Sequence, residues 1–228
     1  MKRVIVISLG GSLIIPERID INFLKSFKNI LEKNKKKYKF VVVCGGGKTA
    51  RNYIQGLPAM KKQEYFQSLL GIASTRLNAR FMTYFFGKEA NEGMPMDMKS
   101  VKNLLRFNNY VFCGALRYSP NQTSDSTATK LANFFNCEFI NLTDVSGLYN
   151  KNPKENSDAK FIPEINHKEL LKMVNKIKFK PGQHFILDQK AAKLIKKENI
   201  TTYILGPDMK NLDNLLNNKY YVGTKIEN

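Results

Sequence analysis

Cysteine and histidine are scarce: the chain has three cysteines and two histidines in 228 residues. Cys44, Cys113 and Cys137 are odd in number and far apart, which argues against both a disulfide framework and the close spacing of a zinc site. A reducing, cytoplasmic setting is expected. Cys44, beside a glycine turn, reads as a small buried strand residue, because no second cysteine is near in sequence. His167 and His184 lack triad-like neighbours, so histidine base chemistry is not expected. The N-terminal MKRVIVISLGGS meets a glycine turn too early for a signal peptide or a membrane span. Acidic residues are few as well, 19 against 37 Lys and Arg, and the formal charge of +18 favours anionic partners such as phosphates. The densest basic run, Lys33 to Lys39, ends a predicted helix, where cations complement the helix dipole. No nucleic-acid-binding signature accompanies it, so it reads as solvated surface and nucleic acid is not an expected partner.

What is present is enough for a sizeable core: 43% of residues are hydrophobic and 11% aromatic. Apolar β-branched runs alternate with helical patterns, the mark of an α/β protein on a mostly parallel sheet. Strands are expected at Arg3 to Leu9, Phe40 to Cys44, Tyr110 to Cys113, Cys137 to Leu142 and Thr202 to Leu205, with Tyr220 to Ile226 closing an edge. Helices are expected over Asp20 to Lys36, Lys48 to Gly56, Gln63 to Phe86, from Ser124, over His167 to Val174, and from Asp188 to near Glu198. In the longest of these, Phe66, Leu70, Ala73, Leu77, Phe81 and Tyr84 recur at helical spacing and are read as core. Gly147 to Pro163 reads as a polar surface loop, and no internal repeat or low-complexity linker divides the chain.

Two glycine clusters, Gly10-Gly11-Ser12 and Gly45-Gly46-Gly47-Lys48, follow the first two strands. Ligands of open α/β sheets gather beyond the carboxyl ends of strands, where glycine lets backbone N–H groups approach an anion. Neither cluster fits the P-loop or the dinucleotide fingerprint, and a tight turn without ligand is an alternative for either. Lys48 and Arg51 on the next helical turn favour phosphate, since cations at a helix N-terminus oppose the dipole unless an anion is bound. Thr123-Ser124-Asp125 and Asp188 open two further helices, either as plain caps or as organisers of magnesium and phosphate. Phosphoryl transfer asks mainly for positioning and charge neutralisation, so such carboxylates would suffice without a nucleophile.

The chain resembles the amino-acid kinase superfamily and, within it, the archaeal type of uridylate kinase. The resemblance runs through SLGGSLIIP with Asp20 to Phe23, GGGKTARNYI from Gly45, LLGIASTRLNA from Leu69 and QTSDSTATKLA from Gln122. It continues through NLTDVSGLYNKNPKENSDAKFI from Asn141, LDQKAAKLI from Leu187, and VGTKI at Val222 to Ile226. It implies a single domain over residues 1–228, a three-layer α/β/α sandwich with a mostly parallel central sheet, and usually a homohexamer. Residues 1–125 would hold the acceptor and residues 126–228 would hold ATP. The activity implied is Mg2+- and ATP-dependent phosphorylation of UMP to UDP.

By resemblance, Gly10, Gly11 and Ser12 face the transferring phosphate, Gly47 and Arg51 contact phosphates, and Thr143, Tyr149 and Asn152 contact ATP. Gly46, Ser68 and the segment Pro120, Asn121, Gln122, Thr123, Ser124 and Asp125 fall on the UMP side. Asp125 and Asp188 fall on the two organising aspartates, and no residue is assigned as a direct metal ligand. The sequence departs from the family at Ser8, where many members carry a lysine; Lys48, Lys130 or Lys180 would then supply the charge. Ser68 replaces an aspartate that grips the acceptor ribose, and the loop Gly114 to Asn121 is altered and longer. These departures leave two alternatives: a kinase of the same fold acting on another small acid or phosphomonoester, and a degraded kinase retained as a nucleotide sensor.

Overall fold

Alternate residues of the first strand belong to two different cores, and that alternation sets the architecture. The computed structural model describes residues 2–118, 123–175 and 187–228. The chain runs β1 (Arg3–Leu9), α1 (Gly11–Ile14), α2 (Ile21–Asn34), β2 (Tyr38–Cys44), α3 (Gly47–Gly56), α4 (Gln63–Phe86), α5 (Met98–Phe107) and β3 (Tyr110–Cys113). It continues with α6 (Ser124–Phe135), β4 (Phe139–Leu142), β5 (Leu148–Tyr149), β6 (Phe161–Ile162), β7 (Glu164–Asn166), α7 (His167–Asn175), α8 (Gln189–Glu198), β8 (Thr202–Leu205), α9 (Met209–Leu216) and β9 (Thr224–Glu227).

Ile5, Ile7 and Leu9 of β1 pack with Leu24 and Phe27 of α2, Met82 of α4 and Leu212 of α9. Val6 points the other way, into a core with Val101 of α5, Leu131 of α6, Leu170 of α7 and Ile195 of α8. A strand buried on both faces needs helices on both sides, which yields the expected three layers. The main sheet has the order β3-β2-β1-β4-β8-β9-β7. Its pairings are parallel except for β8 with β9, and β5 with β6 makes a separate antiparallel ribbon.

Register places the site. Leu9 pairs with Cys44 and with Leu142, and Leu142 pairs with Leu205. The carboxyl ends of β1, β2, β4 and β8 are therefore level, and Gly10, Gly45, Thr143 and Gly206 emerge along one edge. The chain winds outward from β1 in both directions, so that edge is a topological switch point.

Three expectations are corrected. Of the α4 residues read as core, Phe66, Ala73, Leu77 and Tyr84 are exposed, with Tyr84 72% accessible; Leu70 and Phe81 are half-buried. The sheet is met instead by Ala79, Met82 and Phe86, because α4 is apolar on two faces and periodicity alone does not say which is inward. The loop from Gly147 to Pro163 contains β5 and β6. The edge strand β9 begins at Thr224 instead of Tyr220, and Tyr220 is exposed.

Candidate active site

Glycine is required where the first two turns meet, and the reason is the other turn. A Cβ on Gly11 would overlap the Gly47 amide nitrogen and lie 2.7 Å from the Gly45 carbonyl carbon. Gly45 would collide with Gly11 in return, and Gly47 has φ +61°, a conformation side chains disfavour. Gly10 would bring a Cβ within 2.8 Å of the Leu142 carbonyl oxygen, and Gly46 would press on Ala50 of α3. Backbone therefore crosses backbone at van der Waals range beyond β1 and β2, held from below by Asn78 of α4, whose Nδ2 donates to the Gly45 carbonyl at 2.7 Å. Neither α1 nor α3 receives a side-chain cap at its start, since Gly10 and Gly46 occupy the cap positions.

One polar atom at this crossing lacks what burial demands. Ser12 Oγ is buried and has no hydrogen-bond partner among the described residues, and an unmade bond of this kind costs about 1–3 kcal/mol. Arg51, one turn into α3, is half-buried, and no ion pair to it occurs among the described residues. Lys48 differs: its Nζ pairs with Glu17 Oε1 at 3.0 Å, so its charge is already answered.

Beside the crossing lies a chain of side-chain hydrogen bonds. Ser8, fully buried on β1, donates its hydroxyl to Asp125 Oδ1 at 2.7 Å. Asp125 lies in the first turn of α6, where the Thr123 cap accepts its amide at 3.1 Å. The Thr123 hydroxyl donates to Asp188 Oδ2. Asp188, itself 2% exposed, caps α8 by accepting the Ala191 amide at 2.8 Å and also takes the Ser126 amide at 3.1 Å and its hydroxyl at 2.7 Å. The two aspartates thus sit at two helix starts tied by Thr123, one facing β1 and the other closed off by donors.

On the far side, Thr143 follows β4, is buried, and donates its amide to the Leu205 carbonyl at 2.9 Å. Tyr149 lies on the β5 ribbon with its ring 5.4 Å from that of Phe161, and Asn152 is exposed with Oδ1 accepting the Lys154 amide at 3.1 Å. The ion pair of Lys154 with Asp144 ties this loop to the end of β4. Ser124 opens α6, and Ser68 is half-buried on α4 with its hydroxyl donated to the Glu64 carbonyl at 2.8 Å. Lys130 is exposed on α6. Pro120, Asn121, Gln122, Lys180 and His184 lie outside the described residues.

His167 is buried, with Nδ1 at 2.9 Å from Asn228 Oδ1 and Nε2 at 3.2 Å from the Ile200 carbonyl, a satisfied structural histidine. Burial pushes the Cys44 thiol well up and the Cys113 thiol up to about 12, so neither acts as a nucleophile. Sequence reasoning missed Ser126 and Arg76, which donates to the Ala115 carbonyl at 3.0 Å and the Leu116 carbonyl at 2.6 Å. Both contacts join segments about 40 or more residues apart, which local spacing does not reveal.

Residues 3–206 match the amino acid kinase family. This chain belongs to that family. The uridylate kinase of Thermococcus kodakarensis is 32% identical over 98% of this chain and 99% of its own length. That of Thermoplasma volcanium is 32% identical over 100% and 99%. The crystal structure of the uridylate kinase from Archaeoglobus fulgidus superposes with a TM-score of 0.81 at 31% identity, covering 99% of this chain and 100% of that one. The mostly parallel seven-stranded sheet is the family's α/β fold.

Proposed function

We propose that this chain is an ATP-dependent uridylate kinase that moves the γ-phosphoryl group of ATP to UMP, forming UDP for pyrimidine nucleotide biosynthesis. The observation that carries the reading is the buried Ser12 hydroxyl, without a partner among the described residues, at the glycine crossing of an amino acid kinase fold. A phosphate oxygen placed there would accept its proton and remove the cost of leaving it unmet. Full-length relatives that are uridylate kinases point to UMP as the acceptor.

In-line phosphoryl transfer needs reactants held in line and charge neutralised, with little covalent work from the protein. The glycines Gly10, Gly11, Gly46 and Gly47 admit phosphates close to the backbone. Arg51 offers a planar guanidinium to one phosphate, as a bidentate partner. Ser8 fixes the carboxylate of Asp125 by a 2.7 Å hydrogen bond, so that the position occupied in many family members by a lysine serves here to orient an acid. Asp188 is a positioning residue: its oxygens are taken by Thr123, Ser126 and Ala191, and its work is to hold the starts of α6 and α8 together. Thr143, Tyr149 and Asn152 would lie along ATP, and Thr123 and Ser124 along UMP, with residues 1–125 the acceptor part and 126–228 the ATP part. Lys48 or Lys130 would add positive charge beside the phosphates.

Mg2+ fits this set as an ion carried mainly on nucleotide phosphates, because no group of three acidic, histidine or cysteine side chains that could cage a metal occurs among the described residues. Asp125 would hold it through bound water, and the ion would neutralise phosphate charge. The reading also includes a homo-oligomer, a hexamer by family resemblance, for which the exposed apolar face of α4 with Leu77 and Tyr84 gives contact surface. A cytoplasmic setting agrees with three free cysteines, and no helix among the described residues is long and apolar enough to cross a membrane.

The test is ADP release by the purified protein with Mg-ATP and, separately, UMP, CMP, AMP, GMP, isopentenyl phosphate or carbamate, with products identified by mass. Turnover on UMP with UDP as product is expected. Turnover on another acceptor alone would replace the substrate, and silence on all six would contradict the kinase reading. A different acceptor is favoured by one observation, that Ser68 spends its hydroxyl proton on the Glu64 carbonyl.

A further inference from the structure

Resting on the proposed reaction, the question is what holds the acceptor's base and sugar when Ser68 offers no carboxylate. The stripe Tyr65, Ser68, Ile72 and Thr75 on α4 follows the spacing i, i+3, i+7, i+10, which is one helix face. The lower end of that face is fixed: Thr75 Oγ1 accepts the Ala115 amide at 3.0 Å, and Arg76 holds the next two carbonyls of the segment after β3. On the neighbouring flank, Gln67 donates to the Ile54 carbonyl of α3 at 3.3 Å. Ser68 therefore lies on the α4 face between the flank that meets α3 and the end that meets the segment after β3, and Tyr65 lies one turn further out on the same face.

At that outer position Tyr65 meets Tyr118, the ring centroids 5.0 Å apart at 86°. Tyr118 is carried by the segment that Arg76 anchors, and both rings are 40% exposed. The pair joins α4 to the segment after β3 and leaves both ring faces partly open to a ligand. The scale agrees. Ser74 Cβ lies 3.6 Å from where a Gly46 Cβ would be, and Tyr65 is about 14 Å farther along the α4 axis at 1.5 Å per residue. That is the span of a nucleoside monophosphate with its phosphate at the glycines and its base at the rings.

We propose that Tyr65 and Tyr118 form an aromatic clamp that stacks on the base of the acceptor nucleotide, in this chain replacing by stacking the grip lost at Ser68. Every base has a π face, so the clamp adds affinity for nucleotides over base-free phosphomonoesters without choosing among bases.

The experiment compares UMP with ribose 5-phosphate, which has the same phosphate and sugar without the base. Calorimetric titration of each into wild type, Tyr65→Ala, Tyr118→Ala and Tyr118→Phe gives the affinities, and UDP formation gives KM and kcat. Because both rings are partly exposed, the alanine variants are expected to fold, and their melting temperatures check it. The expected result is UMP affinity and KM weakened roughly 5- to 100-fold in each alanine variant. Ribose 5-phosphate affinity, KM for ATP and kcat stay as in wild type, and Tyr118→Phe behaves as wild type. UMP affinity unchanged in both alanine variants overturns the clamp, as does an equal loss for UMP and ribose 5-phosphate, which would make the tyrosines supports of the pocket. A wild-type protein that binds UMP but makes no UDP overturns the proposed reaction while the same titrations still decide the clamp. A protein that does not bind UMP overturns both.

Discussion

The two halves of the site are built by opposite means. At the glycine crossing beyond β1 and β2, the shape is carried by what the residues lack: Gly11, Gly45 and Gly47 have no Cβ, and the backbones touch. At the starts of α6 and α8, it is carried by side chains that satisfy one another, Ser8 to Asp125 and Thr123 with Ser126 to Asp188. The first half is rigid because nothing larger fits. The second is rigid because its buried acceptors are matched by donors. Ser12 is the exception, a buried hydroxyl in the first half with no donor or acceptor to meet it among the described residues. Hydrogen bonds within the fold account for the other members; for Ser12 the proposed phosphate would supply the missing acceptor.

The difference can be broken or sharpened by substitution. The largest effect is expected from Gly45→Ala, whose Cβ would fall on the Gly11 backbone, where no side chain can move aside. Destabilisation beyond about 4 kcal/mol should leave little soluble folded protein, as read by circular dichroism. Asp188→Ala comes next, stripping acceptors from Ala191, Ser126 and Thr123. It should cost about 3–5 kcal/mol in urea unfolding, together with a large fall in kcat, because the α6 start loses its tether. On α4, Met82→Ala on the buried face should cost about 2–5 kcal/mol. Leu77→Ala, at 60% exposure, should fall within about 0.5 kcal/mol for the isolated chain. A smaller and more selective effect is expected from Arg51→Ala: KM for UMP or ATP rises while the melting temperature stays, since Arg51 has no ion pair to lose among the described residues.

Much of this was legible in residue order. The FVVVC run of β2 and the following glycines announce a buried parallel strand and a phosphate-compatible turn, because period and turn chemistry are local. Thr123 and Asp188 are recognisable as helix caps for the same reason. Pairing across the fold is not local. Thr123 and Asp188 are 65 residues apart, and their contact joins the starts of two helices that local spacing does not bring together. Lys48 stands correctly beside the glycines, yet Glu17 from 31 residues earlier takes its charge. The α4 stripe from Phe66 to Tyr84 was visible as apolar, but two apolar faces compete on that helix and tertiary packing chooses the other. Glycine in these turns suits an anion by local chemistry, while its tightest constraint is the neighbouring turn.

The most direct test is UDP formation by Ser12→Ala relative to wild type, with the unliganded melting temperature measured alongside. Removing a hydroxyl that has no partner among the described residues should leave the unliganded protein no less stable, and up to about 1–3 kcal/mol more stable, while turnover falls by roughly 10- to 100-fold, on the order of one lost hydrogen bond to a charged group. Unchanged turnover would contradict phosphoryl transfer at the glycine crossing.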